Sequence, residues 1–275
     1  MSNGRLQYLM VCGGERVSSR AARRIGARDS ADAQMGLPAL VWLRGWQALH
    51  RWLYPPQCLL CEAPGQLIAG RPCDLCAACL ADLVRNDIAC ERCATPLARS
   101  GLCPACQLKP PPFDAAAAPF LYQWPMDGLI KGFKFNGRRD YGRLLAQLFA
   151  MAVTGPAARA DCVVPVPLHP ERERQREFNQ SLVLARALRG GAPVCATLLV
   201  RVKQTAVQSG LTRGQRRRNV REAFAVTGTL RGQSILLVDD VLTSASTVGA
   251  ATRALKRAGA GTVTVAALAR ARWPR

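Results

Sequence analysis

From about residue 115 onward, short apolar runs alternate with stretches whose apolar positions recur every three or four residues. The runs predict strands over residues 116–122, 162–166, 194–199, 223–226, 235–238 and 263–268. The periodic stretches predict helices over 129–135, 142–153, 179–188 and 247–258. In the last of these, Val248, Ala251, Leu255 and Ala258 fall on one face. Such alternation predicts an α/β domain with a mostly parallel sheet flanked by helices. Upstream, Leu40, Leu43, Trp46, Leu49 and Leu53 repeat at helical spacing. Residues 1–34 have no useful periodicity, so 1–37 are expected to be disordered or to reflect a misassigned start, with Met35 as the alternative. The Pro-rich "KPPPFD" at 109–114 reads as a joint. The boundary is therefore expected near Pro110, between a cysteine-bearing domain over 38–109 and the α/β domain over 110–275.

The cysteines change the picture upstream of that joint. Nine of twelve lie between 58 and 106. Four CxxC pairs stand out: Cys58 with Cys61, Cys76 with Cys79, Cys90 with Cys93, and Cys103 with Cys106. Two thiolates at this spacing grip one metal ion from a tight knuckle, and two knuckles complete a closed tetrahedral site. Sequential pairing gives two structural Zn2+ sites, one from the first two pairs and one from the last two. An iron–sulfur cluster is the softer alternative. Cys73, three residues before Cys76, is a competing ligand; the Cys76/Cys79 knuckle is preferred because it leads directly into the apolar "CLADL" turn. A module this small needs metal to fold.

Charge narrows the partners. The chain carries 38 Lys+Arg against 18 Asp+Glu, a formal net charge of +20. That favours polyanions: nucleic acid, phosphorylated small molecules or an anionic surface. An arginine-rich genome is the competing explanation. No apolar run approaches the roughly 20 residues needed to span a bilayer, and no signal sequence is evident, so a cytoplasmic protein is expected. "RGQRRRNVR" at 213–221 can neutralise several phosphates. "KGFKFNGRR" at 131–139 interleaves basic residues with phenylalanines, a pattern that suits single-stranded nucleic acid. It equally suits a helix with a core-facing Phe and a solvated basic face.

The candidate chemistry sits in "ILLVDDVLTSAST", residues 235–247. A buried strand delivers Asp239 and Asp240 to its carboxyl end, where open α/β sheets bind ligands. Thr243, Ser244, Ala245, Ser246 and Thr247 then lead into a helix, whose first N–H groups and dipole favour an anion. The carboxylates suit sugar hydroxyls and the loop suits a phosphate, which together describe a ribose 5-phosphate site. An ATPase strand is disfavoured because no GxxxxGK[ST] loop exists. A receiver-type acidic pair and a plain strand with a capped helix remain as alternatives.

This segment resembles the phosphoribosyl-diphosphate loop of type I phosphoribosyltransferases. "VVPVPLHPERERQREFNQSLVLARAL" (163–188) and "RVKQTAVQSGLTRGQRRRNVREAFAV" (201–226) are similar to the ComF family, which pairs an N-terminal double zinc ribbon with such a domain. The resemblance spans roughly residues 50–272. It implies that Asp239 and Asp240 contact the ribose hydroxyls and that residues 243–247 cradle the 5-phosphate. It implies that Val166, Pro167 and Leu168 mark the pyrophosphate-loop region. Lys203, Arg213, Arg216, Arg217 and Arg218 would face phosphates or nucleic acid, and Mg2+ would be carried by the diphosphate. Two departures stand out: Ala245 replaces a usual glycine, with Ser246 at the usual alanine, and Glu177 replaces the glycine of Arg-Gly-Phe-Asn-Gln. If position 245 needs a positive φ, alanine there costs about 1–2 kcal/mol.

The resemblance implies a role in DNA uptake and natural transformation, handling single-stranded DNA in the cytoplasm, with DNA-uptake proteins as partners. An active phosphoribosyltransferase in nucleotide metabolism is the first alternative, on an acceptor the sequence does not name. A scaffold that senses phosphoribosyl diphosphate without consuming it is the second. No aromatic-rich segment that would stack a base is evident after residue 120.

Overall fold

The structure is a computed structural model, and it describes residues 55–168, 174, 178–188, 191–202 and 223–272. The expected N-terminal helix, Glu177, Lys203, Arg213, Arg216, Arg217 and Arg218 lie outside the described residues. The described chain divides into two compact units, one ending at Ala81 and the other beginning at Asp82.

In the first unit, β1 (Gln66–Ile68) and β2 (Arg71–Cys73) form an antiparallel hairpin, followed by the short helix α1 (Ala77–Ala81). The second unit holds α2 (Pro104–Leu108), β3 (Ala115–Ala117), β4 (Phe120–Leu121), α3 (Met126–Phe135), α4 (Arg139–Ala152) and α5 (Thr154–Ala158). These are followed by β5 (Cys162–Pro165), α6 (Gln180–Ala187), β6 (Leu199–Arg201), β7 (Phe224–Val226), β8 (Ser234–Leu242), α7 (Ser246–Arg257) and β9 (Thr262–Arg270).

The central sheet runs β3-β9-β8-β5 with β4 also on β9, and every pairing in it is parallel. A parallel sheet covered on both faces needs strands apolar on both sides. β8 meets this demand: Ile235, Leu236, Leu237 and Val238 are all buried. Ile235 and Leu237 share one core with Cys162, Val164, Val263 and Val265, and with Val248, Ala251 and Leu255 of α7. Leu236 and Val238 point the opposite way, since successive side chains alternate across a sheet. On that side α6 packs on β5 and β8, α4 packs on α6, and α3 packs on α4. The α3–α4 approach is close because each helix offers a glycine to the other's ring. A Cβ at Gly132 would lie 2.7 Å from Tyr141, and one at Gly142 would run into Phe133.

The sequence-predicted elements differ from the observed ones in three instructive places. The strand expected over 116–122 is two short pieces, β3 and β4, split at Ala118 and Pro119; proline has no N–H for a ladder. The strand expected over 194–199 is a single bridge from Val194 to Val163, then a turn, then β6. Its partner β7 makes a separate antiparallel pair with it. The strand expected to stop at Val238 continues to Leu242, because β9 stays paired with it as far as Arg270. Backbone pairing there overrides the weak strand preference of aspartate.

The second cysteine module belongs to the sheet's own unit. Cys90, Cys93, Cys103 and Cys106 share the core that holds Phe113, Val164, Leu237 and α7. The compact units accordingly part after Ala81, within the cysteine-rich segment and upstream of the expected joint near Pro110.

Candidate functional site

The acidic pair lies where the sheet opens. β5 pairs with β8 from Cys162–Ile235 up to Pro165–Val238 and goes no further. Asp239 and Asp240 come next on β8, beyond the end of their neighbour and half-buried. Val166 remains tied to β8 by its N–H to the Val238 carbonyl (2.9 Å), and Pro167 and Leu168 follow it past the strand end.

Helix α6 is held against this opening by its own cap. Asn179 accepts from the N–H groups of Ser181 (2.9 Å) and Leu182 (3.3 Å), and its amide donates to the Val166 carbonyl (3.1 Å). One buried side chain therefore caps the helix and fastens it to the end of β5. The cap brings Ser181 into place, and its hydroxyl donates to Asp239 Oδ1 at 3.2 Å. The same oxygen accepts the Asp240 N–H at 2.9 Å. From the other side Lys134, in the last turn of α3, pairs its Nζ with Asp240 Oδ2 at 2.8 Å. Gln180 is buried, and its Nε2 has no hydrogen-bond partner among the described residues.

These surroundings set the ionisation of Asp239. Burial, and then the negative charge of Asp240, push its carboxyl up to about 7. The Asp240 N–H, the Lys134 ammonium and the Ser181 hydroxyl oppose the rise without cancelling it.

The loop after β8 turns through a left-handed residue straight into a helix. Ala245 adopts φ 56° and ψ 10°, the left-handed region, immediately before α7. This is the strained position that the missing glycine foreshadowed, and it costs about 1–2 kcal/mol for an L-residue. α7 runs twelve residues without a side-chain N-cap bond. Ser244 and Ser246 hydroxyls sit 2.9 Å apart, and Thr243, Ser244 and Ser246 are exposed. The loop's base is gripped by Arg270, which is buried. Its Nη1 donates to the carbonyls of Leu242 (2.7 Å), Ala271 (3.0 Å) and Thr243.

The basic segment at 131–139 divides its roles. Phe133 is buried and stacks on Phe178 with centroids 4.8 Å apart. Lys134 faces the acidic pair, as described. Phe135 and Trp124 are about 70% exposed, at 70% and 72%. Lys131 pairs with Asp127 at 2.7 Å, and Arg138 lies 4.2 Å above the Tyr141 ring. The core-facing Phe and the accessible aromatic-basic surface are both present on one short stretch.

The cysteine sulfurs gather into two groups. Cys58, Cys61, Cys76 and Cys79 form one, and Cys90, Cys93, Cys103 and Cys106 form the other; within each, the sulfurs lie within 4.8 Å of one another. Cys73 is fully buried and outside both. In each group one thiol is readied for ionisation. For Cys58, burial opposes the charge, but the N–H groups of Cys76, Leu60 and Cys61 outweigh it and lower the thiol to about 6. Cys90 is brought down to about 7 in the same way, by N–H groups of Cys103, Cys93 and Arg92. Deprotonated thiolates in a closed group of four are what structural zinc requires.

Sequence reasoning singled out the acidic pair, the loop and the cysteine pairs. It quoted Asn179 and Ser181 but gave them no role, and it left Lys134 in a basic stretch that suits either single-stranded nucleic acid or the solvated face of a helix. Arg270 it passed over, since one arginine closing a strand carries no local signal.

Comparison with known proteins agrees with this layout. Residues 49–107 match the double zinc ribbon domain, and residues 174–273 match the phosphoribosyl transferase domain. The chain is 34% identical over 225 residues to the DNA utilization protein YhgH of Salmonella typhimurium, covering 78% of this chain and 97% of that protein. It is 31% identical over 179 residues to competence protein F of Haemophilus influenzae, covering 62% of this chain and 78% of that protein. Among solved structures, a purine phosphoribosyltransferase from Pyrococcus horikoshii aligns with a TM-score of 0.31 at 16% identity, over 46% of this chain and 72% of that one. The two cysteine groups thus belong to a double zinc ribbon and suit structural Zn2+. No helix among the described residues is long and apolar enough to cross a membrane.

Proposed function

The chain belongs to the ComF family, and from that premise we propose that it binds a phosphorylated ribose and handles single-stranded DNA during DNA uptake, in the cytoplasm. The observation that carries the ribose-phosphate reading is a conjunction at the end of β8. Two carboxylates stand past the last β5 pairing, and a left-handed Ala245 turn opens onto a twelve-residue helix. Carboxylates accept hydrogen bonds from the vicinal hydroxyls of a ribose. The loop hydroxyls and the unpaired N–H groups of the first helical turn receive the 5-phosphate. Phosphoribosyl diphosphate is the ligand that uses both halves, and its diphosphate would bring Mg2+ with it. Lys134 neutralises Asp240 in the ligand-free chain; a ribose hydroxyl would take its place at the carboxylate and leave the ammonium for a phosphate oxygen.

Calorimetric titration with phosphoribosyl diphosphate and Mg2+ tests this directly. The expected result is a one-to-one isotherm for the wild type, lost in Asp239→Asn/Asp240→Asn. A silent wild type removes the ribose-phosphate reading.

The DNA part rests on Trp124 and Phe135, both exposed, and on Lys131 and Arg138 of the same short stretch of sequence. Bases stack on accessible aromatic faces while basic groups follow the backbone. Filter binding of single-stranded DNA against salt is expected to show a steep loss of affinity with rising salt. Trp124→Ala is expected to weaken binding at every salt concentration. A flat salt response together with an inert Trp124→Ala would remove this part.

A further inference from the structure

The phosphate loop and the second cysteine group are joined through one side chain. Arg270 closes β9, and although cationic it is only 8% exposed. Toward the ligand loop, its Nη1 donates to the carbonyls of Leu242 and Thr243, the residues where β8 turns into the loop. Toward the ribbon, its Nε donates to the Cys93 carbonyl at 3.2 Å and its Nη2 to Thr95 Oγ1 at 3.1 Å. Thr95 Oγ1 in turn lies 3.1 Å from Cys93 Sγ. The planar guanidinium fork thus spans from a metal-binding knuckle to the base of the phosphate cradle, within a single compact unit.

Two physical features make this more than a packing detail. A buried cation needs partners that satisfy it. Among the described residues no carboxylate pairs with Arg270; burial works against its charge, and on the ribbon side the Cys93 carbonyl and the Thr95 hydroxyl accept from it. The Cys93 knuckle therefore holds the cation, and the cation holds the loop. Second, the loop it grips contains Ala245 in a left-handed conformation, which persists only where its surroundings over-determine it.

We propose that Arg270 is a positioning residue that latches the phosphate loop to the second cysteine tetrad. Metal occupancy of Cys90, Cys93, Cys103 and Cys106 then sets the order of residues 242–249 and, through it, the affinity for a ribose phosphate. The affinity clause rests on the ribose-phosphate reading above; the latch itself does not. With the tetrad metal-free, the knuckle carrying the Cys93 carbonyl and Thr95 has no fixed geometry, and the guanidinium loses both anchors on that side. Among the described residues no hydrogen bond runs from Arg270 to the first tetrad, so loss of that tetrad's metal is expected to leave the latch in place.

Hydrogen exchange on the full zinc-loaded chain tests this, following the segment 242–249 and using 235–238, at the centre of β8, as the reference for global opening. Four proteins are compared: wild type, Arg270→Lys, Thr95→Val, and Cys58→Ser/Cys61→Ser, which lacks only the first site. In wild type, stripping the metal with a chelator is expected to speed exchange in the loop segment by about tenfold relative to the reference. Cys58→Ser/Cys61→Ser is expected to match wild type while its second site is loaded. Arg270→Lys is expected to exchange like the stripped protein although the second site retains zinc, because an ammonium cannot span both anchors. Thr95→Val, which removes one anchor and serves if Arg270→Lys does not fold, is expected to lie between. A loop as protected in these two variants as in wild type would overturn the latch. So would loop protection that ignores the chelator.

Titration with phosphoribosyl diphosphate separates the two readings. If wild type binds and Arg270→Lys binds about tenfold more weakly, both stand. Wild type that binds nothing, with a loop that loosens as expected, sinks the ribose-phosphate reading and leaves the latch. Tight binding by an Arg270→Lys chain with an unloosened loop sinks the latch alone.

Discussion

Replacing Asp239 with asparagine should make the ligand-free protein more stable, and the gain should depend on pH. The carboxyl lies near 3.8 in a solvated chain and is pushed up to about 7 in the fold, first by burial and then by Asp240. Between those values the folded chain holds more protons on this group than the unfolded chain does. Stability therefore falls as pH rises through the window and is lowest above about pH 7. A rise of about three pH units corresponds to a ceiling of about 4 kcal/mol above pH 7, at about 1.4 kcal/mol per unit. Relaxation and partial hydration of the half-buried residue bring the working expectation to about 2 kcal/mol. Asparagine keeps the oxygen that accepts from Ser181 and from the Asp240 N–H, and it carries no charge. Urea denaturation of the zinc-loaded chain should show Asp239→Asn stabilised by about 2 kcal/mol at about pH 8, roughly half that at about pH 5.5, and nothing below about pH 4. The same variant should lose the ribose-phosphate ligand. A variant that is less stable than wild type at pH 8, or whose advantage does not shrink on acidification, would refute the account of the acidic pair.

Three further outcomes are expected. Ala245→Gly should relieve the left-handed strain at φ 56° and raise stability by about 1 kcal/mol in denaturant titration, with tighter ligand binding; a loss of stability would show that the turn is not strained. Lys134→Met should push the Asp239 carboxyl higher still, since the ammonium opposes its rise; the pH at which ligand affinity reaches half its maximum should move upward, and an acidic shift would contradict the electrostatics. Metal analysis should find two zinc ions per chain, one for each cysteine group, and a single ion in Cys58→Ser/Cys61→Ser; iron in place of zinc would overturn the structural-zinc assignment.

The elements legible in the sequence were those whose signal is local. Four CxxC pairs in close succession read as metal knuckles, so the two cysteine groups could be assigned from spacing, and the structure collects the same eight sulfurs. An unbroken apolar run at 235–238 bounded by polar residues suits a strand buried on both faces, as β8 is. The suspicion that Ala245 occupies a glycine position came from the resemblance, and its φ of 56° has the same origin in backbone sterics. What the sequence left open depends on backbones meeting across long separations. That Cys73 stands aside, that β8 runs on through its two aspartates, and that the second tetrad joins the sheet's core all follow from which neighbour lies alongside. The chemistry of the site is decided at the same level. Asp239 owes its raised carboxyl to burial and to the charge of Asp240 beside it, opposed by Lys134 on α3 and Ser181 on α6. Arg270 acquires a role only because β9 ends between the ribbon and the loop. Sequence determines which groups are available and how a few neighbouring residues turn. Their ionisation and their partners are set by dielectric and distance, which exist only once the chain has packed.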